Sequence, residues 1–307
     1  MAQLTVAICT FRRYGLLQTT LASLAACKRP DIDWQLLVVD NACDPQIETL
    51  VRSFSHRLPL HYLSEPRLGA SWARNRATRE AAAPLILFTD DDVTFDPDWL
   101  VRMWQAVTDH PECAFWGGRV EPVWGHPPPA WFNPELCPTL ADAIVQYDRG
   151  RVSRPWDPRR DPPFYTANLA LRTDAIADAG YFDTTVGHRG DHRMGMEDSL
   201  MVKAIAGTGG PGWYVADAVV HHPVPCERLT RGYLRRFALR QAWLSTRIHR
   251  GHRAIPPWFY RAAAGRMVEG LRLWSRGLAR RDPGAAFAGE FSTLSATARI
   301  ACALMRL

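Results

Sequence analysis

The sequence predicts an α/β fold: one domain on a mostly parallel central sheet, followed by a helical C-terminal extension. Three observations predict it. Short apolar or β-branched runs alternate with helix-patterned segments across residues 4–89, the rhythm of parallel β-α-β units. Polar residues close three of these runs, Thr10, Asp40-Asn41 and Asp90-Asp91-Asp92, at the strand ends where such sheets bind ligands. The charge also reverses along the chain: residues 1–226 hold 21 Lys+Arg against 27 Asp+Glu, and residues 227–307 hold 16 against 4.

Taken in order, Leu4 to Cys9 alternates as a first strand, and Leu16 to Ala26 has the leucine and alanine spacing of a helix. Trp34 to Val39 is a second strand, followed by a helix from about Gln46 to Ser55 and a short strand at Leu60 to Leu63. A loop from Ser64 to Gly69 leads to a helix over Ala70 to Ala83, and Pro84 to Thr89 is the fourth strand. A helix near Pro97 to His110 precedes a strand at Phe115 to Trp124. Pro122 to Pro163 then carries ten prolines; a long irregular stretch inside a compact chain is usually a functional or mobile loop. Its Trp124, Trp131, Phe132 and Trp156 suit either a sugar ring or ordinary core packing. Tyr165 to Arg172 resumes regular structure. Thr184 to Gly195, with three glycines, His188, Arg189, His192 and Arg193, is a second flexible segment, running into Glu197-Asp198 at the head of a helix over Ser199 to Ala206.

Several classes are excluded. The first β-α turn, Cys9 to Gly15, holds side chains where G-x-G-x-x-G would stand, so a dinucleotide cradle is not expected. No G-x-x-x-x-G-K-[ST] occurs, and Gly207 to Gly212 reads as a plain turn. Seven scattered cysteines without a C-x-x-C pair predict buried free thiols, a reducing compartment and no structural zinc. The N-terminus lacks a basic segment followed by an apolar core, and Pro283 to Met305 is broken by Glu290 and Arg299. Neither secretion nor a membrane span is expected, since a span needs about 18 apolar residues. The expected location is cytoplasmic, with a place at the inner membrane face left open.

Three adjacent aspartates on a turn are ordinarily solvated, or cap the helix that follows. Here they share an edge with other polar groups. The pieces "VAICTFRR", "LLVVDNACD", "GASWARNRA", "LILFTDDDVTFDPDWL", "YTANLALR", "GYFD", "MEDSLMVKA" and "VVHHPVP" follow one another from residue 4 to 225. In that order and spacing the chain resembles a family 2 glycosyltransferase of the GT-A fold, a Rossmann-type domain. The resemblance implies a catalytic domain over 1–226, with a nucleotide-binding half at 1–120 and an acceptor half at 121–226; residues 227–307 would be a basic helical extension that the family pattern covers weakly. It implies Thr10, Arg12, Asp40, Asn41, Arg74, Asn75, Asp90 and Asp91 as nucleotide-binding residues, and Asp92 with His222 as ligands of Mg²⁺ or Mn²⁺. Glu197 and Asp198 would be catalytic, Asp198 as base.

The chemistry of the residues agrees with that reading. A departing nucleoside diphosphate gains negative charge, which a hard cation held by carboxylates can offset. A second carboxylate, distant in sequence, can take the acceptor's proton in a single inverting displacement. Each site has a plainer alternative. Glu197 and Asp198 would suit the positive end of a helix dipole, which would hold a carboxylate charged. Only one of His221 and His222 can face a ligand on a strand, and Arg74 could be a helix-surface charge. The expected partners are a nucleoside-diphosphate sugar donor and a glycan, lipid-linked sugar or small-molecule acceptor, without nucleic acid. Two other functions compete, a nucleotidyltransferase of similar fold and a non-enzymatic binder of anionic polymer. In the basic segment, Leu229, Tyr233, Phe237, Leu244 and Ile248 recur at near-helical spacing among Arg231, Arg235, Arg236, Arg240, Arg247 and Arg250. That pattern suits an amphipathic helix on an anionic membrane, a helical subdomain or a homodimer contact.

Overall fold

A computed structural model describes residues 2–190, 195–250 and 255–305. The chain divides into two compact units, Met1–Glu121 with Tyr147–His222, and Pro122–Gln146 with Pro223–Leu307. The proline-rich segment at 122–146 thus groups with the C-terminal helices, whereas the sequence reading assigned it to the acceptor half.

The first unit opens with β1 (Leu4–Thr10), α1 (Tyr14–Ala26), β2 (Trp34–Asp40), α2 (Pro45–Ser53), β3 (Leu60–Ser64), α3 (Ala70–Glu80) and β4 (Leu85–Asp90). It continues with β5 (Thr94–Phe95), α4 (Trp99–Asp109) and β6 (Phe115–Trp124), the last running on into the second unit. The central strands are buried through Val6, Ile8, Val38, Ile86 and Leu87, the near-continuous apolar composition that a sheet covered on both faces requires. β1 pairs in parallel with β2 and β4, and β2 with β3.

After α5 (Thr139–Ala143) in the second unit, the chain returns through β7 (Arg154–Pro155), β8 (Asn168–Arg172), α6 (Thr173–Asp178), α7 (Glu197–Gly207) and β9 (Gly212–Val224). The strand order is β3-β2-β1-β4-β8-β6-β9-β5, with β7 on β9. β8 runs antiparallel to both β4 and β6. Asn168 fastens this half: its Nδ2 donates to the carbonyls of Arg119 and Ala218 at 2.9 and 2.8 Å, while its Oδ1 accepts from Trp99 Nε1 at 2.9 Å. Behind it, a Cβ on Gly117 would lie 1.9 Å from the Phe164 ring, so only glycine fits there.

The second unit packs α5, a 3₁₀ turn at Cys226–Leu229, α8 (Arg231–Arg250), α9 (Pro257–Ala279) and α10 (Pro283–Leu304). Its core joins Phe132, Leu140, Ile144, Leu234, Phe287 and Phe291. Asp282 caps α10, accepting from Gly284 N and Ala285 N at 2.9 and 3.0 Å. The apolar stripe expected on α8 is used inside this unit: Leu244 is buried, and Leu229, Tyr233 and Phe237 pack on the core. Phe132 and Trp156 are buried too, so of the two fates open to these aromatics, core packing holds for both. All seven cysteines are free thiols, but Cys43 and Cys226 are exposed rather than buried as expected. Among the described residues no helix is long and apolar enough to cross a membrane.

Candidate active site

The parallel register sets Thr10 beside Asp40 and Cys9 beside Asp90, so the polar residues that close β1, β2 and β4 share one edge. Asp91 and Asp92 sit in the turn between β4 and β5. Arg13 Nη1 donates to Asp91 Oδ1 and Asp92 Oδ2, at 2.9 Å each, and Thr10 Oγ1 donates to Asp91 Oδ2 at 2.7 Å. One guanidinium and one hydroxyl thereby hold two of the three like charges in place. Burial nevertheless pushes the Asp91 carboxyl up to about 7, against the lowering effect of Arg13. Burial and the charge of Asp92 push Asp90 up as well.

β9 brings two histidines to this edge, facing opposite ways as strand geometry demands. His221 Nε2 lies 2.7 Å from Asp96 Oδ1. His222 is buried, with Nε2 at 3.6 Å from Asp92 Oδ1. One ligand atom each from Asp90, Asp92 and His222 lies within 4.8 Å of the others. Asp92 Oδ1 is buried without a hydrogen-bond partner, a costly state for a carboxylate oxygen. Two carboxylates and an imidazole around that oxygen fit a divalent cation.

The acidic pair enters α7 behind Met196, which has a left-handed φ of 87°. Arg74, on α3, is buried; its Nη1 lies 2.7 Å from Glu197 Oε1 and its Nη2 4.0 Å from Asp90 Oδ1. The surface-charge reading of Arg74 is therefore overturned. Burial opposes charge on Glu197, but Arg74 and His188 hold its carboxyl below the ordinary carboxylate range. Asp198 behaves in the opposite way. Burial and then the charge of Glu197 push it up to about 7, although Arg74 and the Ser199 amide, which donates to Oδ1 at 2.7 Å, lower it. At this helix start burial outweighs the dipole, which alone would keep Asp198 ionised.

Other expected residues shape the edge from beneath. Asp40 accepts from Ala42 N, Asp44 N and Tyr62 Oη at 2.8, 2.6 and 3.1 Å. Asn41 donates to the carbonyls of Glu65 and Arg67 and accepts from Gly69 N. Asn75 exchanges two hydrogen bonds with the backbone of Phe182, each of 2.8 Å. Arg12 is exposed and lies over the Phe11 ring at 5.2 Å. The guanidinium that meets the aspartates belongs to Arg13, which sequence reasoning passed over. Arg12 takes a left-handed φ of 54°, and no periodicity marks which of two adjacent arginines such a turn directs inward. The second flexible segment does reach the site: a Cβ on Gly187 would lie 3.3 Å from Glu197 Cδ. His192 and Arg193 fall outside the described residues.

Residues 5–167 match the family described as Glycosyl transferase family 2. The succinoglycan biosynthesis protein ExoM of Rhizobium meliloti is 28% identical over 259 residues, covering 78% of each chain. The glucosyl-dolichyl phosphate glucuronosyltransferase of Haloferax volcanii is 24% identical over 225 residues, covering 72% of this chain and 69% of its own. Among solved structures, the mannosyltransferase of Pyrobaculum calidifontis in complex with GDP-Man and Mn²⁺ superposes with a TM-score of 0.57 at 20% identity, covering 99% of this chain and 75% of that one. That last likeness is one of fold.

Proposed function

Because this chain belongs to glycosyl transferase family 2, we propose that it moves a sugar, with inversion, from a nucleoside diphosphate to an acceptor hydroxyl, with Asp198 as the base. It is a glycosyltransferase with the GT-A fold. The observation that carries the mechanism is Arg74, buried between Glu197 and Asp90: it joins the acidic pair and the aspartate run in one site.

Asp90, Asp92 and His222 would hold a divalent cation, Mg²⁺ or Mn²⁺. Bound there, it would offset the charge that develops on the departing diphosphate. The Mn²⁺ and GDP-Man of the Pyrobaculum mannosyltransferase support both that ion and the donor class. Thr10 and Arg13 fix the aspartate turn so that Asp92 keeps one oxygen turned toward His222. Asp198 accepts the hydroxyl proton of the acceptor as the acceptor oxygen bonds to the anomeric carbon and the diphosphate oxygen leaves it. Glu197 stays charged against Arg74 and raises the proton affinity of its neighbour. The names of the two curated relatives support a glycan or lipid-linked sugar as acceptor.

The test is a panel of UDP-, GDP- and dTDP-sugars, with nucleoside diphosphate release measured and the product anomer assigned by NMR. Release that depends on acceptor and a product of inverted configuration are expected; a retained configuration removes Asp198 from the role of base.

A further inference from the structure

The outer surface of α9 carries a feature that transfer chemistry does not use. This helix has three stripes. Phe259, Ala263, Gly270 and Gly277 are buried, and a Cβ would lie 2.6 Å from Thr293 Oγ1 at Gly270 and 2.2 Å from Ala286 N at Gly277. α9 is thus fastened to α10 close to backbone contact at Gly270 and Gly277. A second stripe, Leu271, Trp274 and Leu278 at i, i+3 and i+7 with Val268 beside it, is 45, 36, 63 and 41% exposed. A helix that packed only on α10 would carry polar residues there, because contiguous apolar surface left in water forgoes about 25 cal/mol per Å². The third stripe is basic: Arg261, Arg272 and Arg276 are exposed at helical spacing, with Arg280 just beyond the helix end. Among the described residues none of these four has an acidic partner in an ion pair. Residues 257–281 hold six arginines and one glutamate.

We propose that α9 is a peripheral membrane contact, lying on a surface rich in anionic lipid with Leu271, Trp274 and Leu278 in the headgroup–acyl boundary. Unpaired arginines beside an exposed Leu/Trp stripe complement a layer of phosphates above hydrocarbon. Tryptophan favours that boundary, and arginine stems reach along apolar surface while their heads stay with the phosphates. The helix cannot span the bilayer, so it lies flat. Of the readings open for the α8 pattern, the helical subdomain fits, since Tyr233 and Phe237 pack on the core of their own unit; the membrane contact proposed here is on α9 instead.

Sedimentation of the full chain with phosphatidylcholine vesicles, and with vesicles containing phosphatidylglycerol, tests this at low and raised salt. Binding is expected only with phosphatidylglycerol and weaker in salt. Arg272→Gln with Arg276→Gln should lower partitioning roughly thirtyfold at low salt, since each basic residue near such a surface changes it about fivefold. Leu271→Ser with Trp274→Ser should remove the binding that survives raised salt. All four side chains are exposed, so melting temperature and nucleoside diphosphate release without vesicles should match the native chain. Failure of the native chain to bind phosphatidylglycerol vesicles overturns the proposal, as does binding indifferent to both pairs. A dimer that Leu271→Ser with Trp274→Ser dissociates, without vesicle binding, assigns the stripe to a second copy instead.

Discussion

Asp198 titrates where a base working near neutrality should, and its surroundings set that value. Burial and the adjacent Glu197 disfavour its charge and raise it to about 7. Only the deprotonated form can accept the acceptor's proton, so transfer should fall as pH drops below about 7 and level off above it. With metal and donor saturating, Asp198→Asn should lower turnover by about 10² or more, retain donor binding and abolish that inflection. An unchanged pH profile in this variant would place the titrating group elsewhere. Glu197 is held charged by the buried guanidinium of Arg74. Arg74→Met should therefore strand a buried carboxylate and cost about 3–5 kcal/mol of stability, read by denaturant unfolding. A loss below about 1 kcal/mol would mean that water reaches Glu197. Sequence motifs identified both carboxylates, but not that adjacent residues would be pushed in opposite directions, because burial depends on long-range packing.

The elements repeat that lesson. β1 to β4 were legible because each is a short apolar run closed by a polar residue, and α3 because its spacing is helical. What joins the later strands was not legible. Asn168, inside the expected Tyr165 to Arg172 element, spends its three side-chain hydrogen bonds on partners 49 to 69 residues away, and no local pattern announces such a residue. Asn168→Ala should leave two carbonyls and the Trp99 indole buried without partners, costing about 3 kcal/mol or more. A melting temperature within a degree or two of the native value would mean that water takes over those bonds. Asn75 illustrates the same limit. Its place in the motif suggested the nucleotide pocket, while its side chain is given to the Phe182 backbone. The arginines of α8 drew attention in the sequence, yet the exposed Leu/Trp stripe is on α9, because exposure depends on packing that local pattern does not show.

For the whole molecule, the proposed binding role of the aspartate edge comes with a cost in stability. Asp90, Asp91 and Asp92 crowd three like charges together, with Arg13 against Asp91 and Asp92 and Arg74 near Asp90, and the raised values of Asp90 and Asp91 show that the folded chain resists ionising them. A ligand that binds the folded but not the unfolded chain restores stability by mass action, about 2.7 kcal/mol at one hundred times its dissociation constant. Mn²⁺ or Mg²⁺ together with the matching nucleoside diphosphate should therefore raise the melting temperature, and a chelator should reverse the metal-dependent part. Protons would compete with a cation for these carboxylates. Because burial raises both groups, Asp91 to about 7, that competition weakens as pH rises, and the metal-dependent shift should be larger at pH 8 than at pH 6. Asp92→Ala removes a like charge as well as a ligand, so its ligand-free stability should stay within about 1 kcal/mol of native while the metal-dependent shift disappears. An undiminished shift in Asp92→Ala, or one insensitive to chelation, would separate the aspartate edge from the metal and leave Arg13 as the group facing the diphosphate.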